Sequence, residues 1–174
     1  FYKAVEVVAA EGGFGVQLDG RNLRGPGGGL VVLPTRALAE QVAGEWAGQG
    51  ETLEIAGMHA TRLANTAIES VPQAREATAQ AIADYAASDL TCYFAVAPAG
   101  LLERQERLWG PILDRVEAEA GLRFIRAAGI VHQAQPPNTL ARVKAMALEL
   151  DDFGFTGLAF GAAILVAAAG AFIV

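Results

Sequence analysis

Residues 30 to 46 read LVVLPTRALAEQVAGEW, and within them the hydrophobic pattern changes from that of a strand to that of a helix. Leu30 to Leu33 form a short apolar run typical of a strand, and Pro34 interrupts it. Thr35 is a candidate N-cap, because apolar residues recur after it at helical spacing as far as Trp46. This change of period predicts β structure before Pro34 and helices after it.

The residues before this point predict an antiparallel sheet. Tyr2 to Val8 is rich in Val, and glycines at 12 and 13 supply a turn before residues 14 to 18 alternate between apolar and small or polar side chains. Asp19-Gly20 predicts a tight hairpin turn, since glycine tolerates the positive φ that such turns require. A second glycine-rich loop, at residues 25 to 29, leads into the strand at 30 to 33.

The residues after this point predict mainly helices. The first predicted elements are a possible strand at Thr52 to Ile55, a helix from Met58 to Glu69, and a helix to Ala87 that begins with a capping box of Ser70 and Gln73 around Pro72. The next helix starts near Pro98, and Gly110-Pro111 kinks or restarts it. An extended segment from Phe124 to Val131 and a helix capped by Asn138 or Thr139 that runs to Leu150 complete the prediction. We therefore expect an α+β protein. A small N-terminal antiparallel β-rich domain with one helix spans residues 1–57, and a C-terminal mainly helical domain spans 58–174.

The composition limits the classes of function. The 174 residues carry a net charge of −6, and 53% of them are apolar. A nucleic-acid surface needs clustered Lys and Arg to displace counterions; the sequence has no such cluster, so we expect no nucleic-acid partner. A single cysteine cannot build a disulfide framework or a thiolate zinc site, and it favours a reducing compartment.

That cysteine, Cys92, is the first candidate for catalysis and lies in SDLTCYFA at residues 88–95. A cysteine nucleophile needs a nearby base, and the two candidates are His59 and His132. Neither lies in a recognisable protease or transferase signature, whereas free cysteines are among the most buried residues. We interpret Cys92 as a core residue, with a cysteine-dependent enzyme as the alternative.

Other candidate sites have weaker support. The loop RGPGGGL at residues 24–30 lacks the Gly-Lys-Ser/Thr ending of a phosphate-binding loop and precedes a strand. Asp151 and Asp152 are metal-ligand types, but the sequence offers them no third ligand. We therefore predict no catalytic residue, no metal site and no cofactor.

The segment from Phe153 to Val174 contains 22 residues without a charge. As a helix it would extend about 33 Å, which is enough to cross the hydrocarbon layer of a bilayer. A helix that is apolar all round is equally typical of the centre of a helical bundle. The residues alone leave both interpretations open, so a small protein anchored in the membrane by 153–174 is a second alternative.

Several stretches together resemble one protein family. They are FYKAVEV at residues 1–7, VQLDGRNLRGP at 16–26, LPTRALAEQVAGEWAGQ at 33–49, MHATRLANTAIE at 58–69, Tyr85 with SDLTCYFA, and RQERLWGPIL at 104–113. In this order and spacing they are similar to the assembly chaperone of the ATP synthase catalytic head, the factor that binds its alpha subunit.

The resemblance implies a β-rich N-terminal domain, a helical C-terminal domain, and neither catalysis nor cofactor. It implies that the chain binds the unassembled alpha subunit and prevents its aggregation. It further implies a monomer in the cytoplasm of a bacterium; in eukaryotic relatives the corresponding compartment is the mitochondrial matrix. It also implies that residues 153–174 lie inside the soluble fold. Members of this family continue into a segment rich in acids and Trp, so the resemblance also implies that the chain is a fragment.

The residues that match the family pattern fall mainly on predicted helices and turns. They are Asp19, Gly20, Arg21, Glu45, Trp46, Gln49, Met58, Thr61, Arg62, Asn65, Thr66, Asp89, Tyr93, Gln105, Trp109 and Pro111. From these we select a partner-binding or interdomain set: Trp46, Arg62, Asn65, Asp89, Tyr93, Gln105 and Trp109. Departures from the pattern are His59-Ala60 in place of a proline, Thr91 in place of a leucine, and Phe94 in place of a basic residue.

Overall fold

The computed structural model describes residues 2–165, and the chain divides into two compact units between Gln73 and Ala74. The N-terminal unit contains the sheet and the first helices, and the C-terminal unit is mainly helical. This arrangement confirms the α+β class, with an N-terminal antiparallel sheet followed by a mostly helical region. The domain boundary between residues 57 and 58 stays a prediction.

Four strands form the N-terminal sheet: β1 (Val5–Ala10), β2 (Gly13–Leu18), β3 (Arg21–Asn22) and β4 (Val32–Leu33). All pair antiparallel, and β2 is central because β1, β3 and β4 each pair with it. The turn predicted at Asp19-Gly20 is confirmed, with φ values of 47° and 75°. The Asp19 carboxylate also accepts hydrogen bonds from the backbone N–H of Lys3 (3.0 Å) and Ala4 (2.8 Å), which fixes the start of the chain against this turn.

Helix α1 (Arg36–Ala47) follows β4 and packs on the sheet. The predicted N-cap is confirmed, since Thr35 Oγ1 accepts a hydrogen bond from Leu38 N at 3.2 Å. Ala39 and Val42, both fully buried, form the core-facing stripe of this helix.

The strand predicted at Thr52 to Ile55 is wrong. Ile55–Gly57 forms a single turn of 3₁₀-helix, and Ile55 is exposed. The backbone N–H of Glu54 donates to the side chain of Gln49 at 2.7 Å instead of to a neighbouring strand. A short apolar alternation becomes a strand only where a partner strand lies beside it, and here a side chain takes that place.

Helix α2 (His59–Asn65) continues through a π-helical turn, Thr66–Ser70, into α3 (Val71–Ala87). The capping box predicted at Ser70 is therefore wrong: Ser70 lies inside the helical run, and Gln73 Nε2 donates to Glu69 O at 3.1 Å. Pro72 lacks an N–H, and its ring clashes with the preceding turn of an α-helix. The wider π turn before Pro72 gives that ring room without ending the helix.

In the C-terminal unit a 3₁₀ turn at Leu90–Cys92 leads into β5 (Tyr93–Phe94), followed by α4 (Ala99–Ala120). The chain then returns as β6 (Ala127–Ala128), which pairs parallel with β5. Helix α4 begins after Pro98 as predicted, but it continues through Pro111 without restarting and ends at Gly121, whose φ is 69°. Of the extended segment predicted at 124–131, only β6 forms a strand.

The last two helices are α5 (Pro137–Glu149) and α6 (Asp152–Leu165). The predicted capping role of Asn138 or Thr139 is wrong, because α5 starts at Pro137 and the Thr139 hydroxyl donates to Arg123 O at 2.8 Å.

Helix α6 contains the first part of the uncharged segment, and Phe155, Leu158 and Ala162 are buried. Residues 166–174 of that segment lie outside the described residues. Within residues 2–165, no helix has both the length and the apolar character needed to cross a bilayer.

Candidate functional site

A groove of about 630 Å³ opens in the C-terminal unit between α4 and the two short strands β5 and β6. Its lining is largely apolar and includes Phe94, Val96 and Leu102. Three charged side chains also line it: Glu106 and Asp114 from α4, and Arg126, the residue before β6. A concave surface of this size, apolar with a few charges, is typical of a binding site.

Three of the residues selected from the sequence hold β5 in place beside this groove. Asp89 is fully buried, and its Oδ1 accepts hydrogen bonds from Thr91 N (2.9 Å) and Thr91 Oγ1 (2.7 Å), which caps the turn before the strand. Gln105 Oε1 accepts a hydrogen bond from Ala95 N at 2.7 Å, just after the strand. The ring of Trp109 packs edge-to-face on Phe94, with 6.1 Å between ring centroids. Helix α4 therefore positions the strand that forms one wall of the groove.

A fourth selected residue, Tyr93, lies on β5 itself. Its hydroxyl is 3.1 Å from Nδ1 of His132, in the segment that follows β6. The structure thus brings four of the seven selected residues together around one short strand beside the groove; their partner-binding or interdomain role stays a prediction.

The other three selected residues, Trp46, Arg62 and Asn65, belong to the N-terminal unit. The Trp46 ring packs against Tyr2 with 6.0 Å between centroids, and Arg62 Nη1 donates to the backbone oxygen of Ala56 at 3.1 Å. Among the described residues, neither Trp46 Nε1 nor Asn65 Oδ1 has a hydrogen-bond partner, although both atoms are buried. Their partner-binding or interdomain role stays a prediction.

Three strongly exposed apolar side chains belong to the groove lining or follow it within three residues of Ala128, and we name them the apolar rim: Val96, Ile130 and Val131. They are exposed by 74%, 96% and 70%. The second segment passes close to Val96, because a Cβ on Gly129, the residue before Ile130, would lie 3.9 Å from Val96 Cγ1. Strongly exposed apolar side chains on segments that pass close to each other are typical of an interaction surface.

The sequence analysis missed the apolar rim because it assigned residues 124–131 to an extended element, in which apolar side chains have a structural explanation. The available signal was Gly129 with Pro136-Pro137, which together indicate a loop. Two adjacent apolar residues in such a loop have no core to fill.

The thiol of Cys92 lies next to this site but is fully buried. Burial, and secondarily the charge of Asp89, raise the pKa of this thiol to about 12. A nucleophilic cysteine requires the opposite shift, because the thiolate is the reactive form. The geometry therefore agrees with the interpretation of Cys92 as a core residue.

A metal centre has no support in the described part of the chain, where no three His, Cys, Asp or Glu side chains gather so that they could share an ion. Asp151 and Asp152, the pair noted in the sequence, serve helix ends instead. Asp151 Oδ1 accepts a hydrogen bond from Gly154 N at 2.7 Å, and Asp152 forms an ion pair with Arg75.

Comparison with known proteins identifies the family. A family model described as ATP12 chaperone protein matches residues 1–117. The crystal structure of Atp12 from Paracoccus denitrificans is 34% identical in sequence, with a TM-score of 0.89 over 99% of this chain and 74% of that one. A chaperone candidate from Agrobacterium tumefaciens, the Atu1473 protein, is also 34% identical, with a TM-score of 0.87 over 99% of this chain and 65% of that one.

The matched residues include the N-terminal sheet, β5 and almost all of α4, so they cover the groove elements except Arg126 and β6. The structural similarity extends over nearly the whole chain at an identity that indicates common ancestry. This chain belongs to the ATP12 chaperone protein family, and its function is that of an assembly chaperone.

Proposed function

We propose that this chaperone binds the unassembled alpha subunit of the ATP synthase catalytic head and prevents its aggregation until the subunit meets its beta partners. We place it in the bacterial cytoplasm, as a monomer that binds its client and catalyses no reaction. Orphan subunits of a ring expose apolar surface and unpaired edges that aggregate. A partner that covers such surface transiently keeps the subunit competent for assembly.

The apolar rim is the observation that carries this proposal. Ile130, exposed by 96%, makes almost no contribution to the core of this chain. Burial of an exposed side chain of this size against a partner stabilises a complex by about 1.5–3 kcal/mol. Three such side chains beside an open groove form a small contact area, which suits a client that must later be released.

Co-expression of the alpha subunit with this chain tests the proposal. The wild-type chain should raise the soluble fraction of alpha and should co-purify with it. The beta subunit, expressed with the chain in place of alpha, should not co-purify with the chain. A variant of the rim, Ile130→Ser with Val131→Ser, should lose most of this effect, because the substitutions remove apolar contact area and leave the core intact. Ile55→Ser is the matched control, since Ile55 is 47% exposed but belongs to the N-terminal unit.

Two results would contradict the proposal. The first is an equally insoluble alpha subunit with and without the chain. The second is a rim variant that retains the native circular dichroism spectrum and still protects alpha as well as the wild type, which would remove the rim from the client surface.

A further inference from the structure

We infer that the groove accepts an apolar segment of the client that carries one basic side chain, and that this side chain pairs with Glu106. The inference rests on the proposed function in that the client is a protein subunit. It goes further by stating the chemistry of the segment that the groove recognises.

The charges of the groove lead to this inference. Two acids and one base line it: Glu106, Asp114 and Arg126. Arg126 is already engaged, because its Nη2 donates to Asp114 Oδ1 in an ion pair. The described part of the chain forms no ion pair with Glu106. One carboxylate of the groove lining, which is exposed to solvent, therefore has no ion-pair partner among the described residues.

The position of Glu106 makes this charge useful for recognition. Leu102 lies one turn before it on α4, and Gly110 lies one turn after it, and both also line the groove. Gly110 has no side chain, and the nearest atom to a Cβ placed there is Arg126 Nη1 at 4.0 Å, so α4 places no side chain in the groove one turn after Glu106. A client side chain can thus reach the carboxylate while its neighbours contact the apolar walls.

Charge complementarity selects a basic segment over the other choices. A segment with an acidic side chain would place a like charge beside the exposed carboxylate of Glu106, which weakens binding. A wholly apolar segment would cover Glu106 and remove its water without supplying a partner. An apolar segment with one Lys or Arg satisfies both the walls and the carboxylate.

Three synthetic peptides with a fluorescent label provide the test. Each has a central residue flanked on both sides by two Leu, and the central residue is Lys, Gln or Glu. Fluorescence anisotropy with the wild-type chain should show the Lys peptide binding roughly three- to tenfold more tightly than the Glu peptide at low salt. The preference should shrink at 0.5 M salt, because ions screen a partly exposed pair.

A charge exchange identifies the residue. Glu106→Lys should reverse the preference, so that the Glu peptide binds better than the Lys peptide, and Glu106→Gln should bring the peptides to within about twofold of each other. Glu103→Lys is the matched control: Glu103 lies on the same helix, is exposed, and does not line the groove. It should retain the wild-type order. Equal peptide binding in the wild type, or a reversal with Glu103→Lys as well, would overturn the inference.

The same variants separate this inference from the proposed function. A wild-type chain that protects the alpha subunit, together with a Glu106→Lys variant that protects it equally and shows no peptide preference, would overturn only the inference. A wild-type chain that discriminates the peptides but never binds alpha would overturn only the proposed client. Sedimentation that shows a dimer dissociated by Glu106→Lys would assign the groove to a second copy of this chain and would overturn the inference.

Discussion

Glu69 links two segments of the N-terminal unit that are 42 residues apart, the glycine-rich loop and the helical run. Its Oε1 accepts a hydrogen bond from Gly27 N at 2.9 Å. A Cβ on Gly25 would lie only 2.3 Å from the same oxygen, so the close approach depends on the missing side chain. The sequence analysis treated RGPGGGL as a plain loop between strands, and no local signal in it indicates that it docks on a helix.

We therefore expect Gly25→Ala to lower the free energy of unfolding by about 1 kcal/mol, because the new methyl group displaces the Glu69 carboxylate and breaks its bond to Gly27. Gly29→Ala is the control, since a Cβ there meets no atom within 4 Å. Urea denaturation of both variants measures the difference. Equal stability of the two would show that Glu69 does not hold the loop.

At the scale of elements, the structure confirms those whose signals are complete within a few residues. Thr35 caps α1, and Asp19-Gly20 forms the hairpin turn. One error arises where a side chain bonds to a distant partner. Thr139 had the residue type of an N-cap, but its hydroxyl donates to Arg123 O, 16 residues earlier in the chain. The spacing of residues along the chain does not indicate which backbone oxygen the folded chain places near the Thr139 hydroxyl.

Arg75 is the clearest element-scale contact that the sequence did not reveal. From α3 its Nη2 donates to the last backbone oxygens of α5, Leu148 O at 3.0 Å and Leu150 O at 2.6 Å. The guanidinium also pairs with Asp152 at the start of α6 and lies 4.7 Å from the centroid of the Phe155 ring. One side chain thus joins three helices at the C-terminus of α5, where the last carbonyls of a helix have no partner within it.

Arg75→Lys should destabilise the protein by about 2 kcal/mol, because an ammonium group cannot bond to two carbonyls, pair with a carboxylate and stack on a ring at once. Arg115→Lys should cost less than about 0.5 kcal/mol, since the ion pair that Arg115 forms among the described residues is an exposed i,i+4 pair with Glu119. Thermal unfolding of the two variants compares them. Similar melting temperatures would mean that the three helices pack without the help of Arg75.

At the scale of the whole molecule, two carboxyl groups with lowered pKa values belong to the N-terminal unit. Hydrogen bonds from the backbone of Ala4 and Lys3 lower the pKa of Asp19. Burial alone would raise the pKa of Glu45, but the hydrogen bonds from Thr61 N (2.8 Å), Thr61 Oγ1 (2.7 Å) and Ala60 N (2.7 Å) outweigh it and lower the pKa. Glu45 thereby caps the start of α2 from α1.

A carboxyl whose pKa is lower in the folded state stabilises the fold fully above its ordinary pKa, about 4 for Asp and Glu. That stability is lost as the pH falls through the lower folded value. We therefore expect the N-terminal unit to unfold first on acidification. The two tryptophans report on the units separately, because Trp46 lies in one and Trp109 in the other.

Acid titration of Trp109→Phe, which leaves Trp46, should show a fluorescence transition at a higher pH than titration of Trp46→Phe, which leaves Trp109. Glu45→Gln combined with Trp109→Phe should lower the free energy of unfolding at neutral pH. It should also make that free energy depend less on pH between pH 5 and the acid transition. Glu40→Gln, on the same helix but in an exposed pair with Arg36, is the control. A transition that begins at Trp109 would contradict the expectation.

The sequence by itself determined the α+β class, the hairpin turn, the capped first helix and the family, because each rests on residues whose spacing along the chain is the relevant geometry. Only the tertiary structure decided that Asp89, Gln105 and Trp109 gather around β5 and that Ile130 and Val131 are exposed. It also decided that Glu106 lines a groove without an ion pair to any residue in the described part of the chain. Such features depend on which distant segments meet when the chain collapses. The burial of a side chain and the pairing of its charge depend on contacts between distant segments, so no short stretch of sequence specifies them.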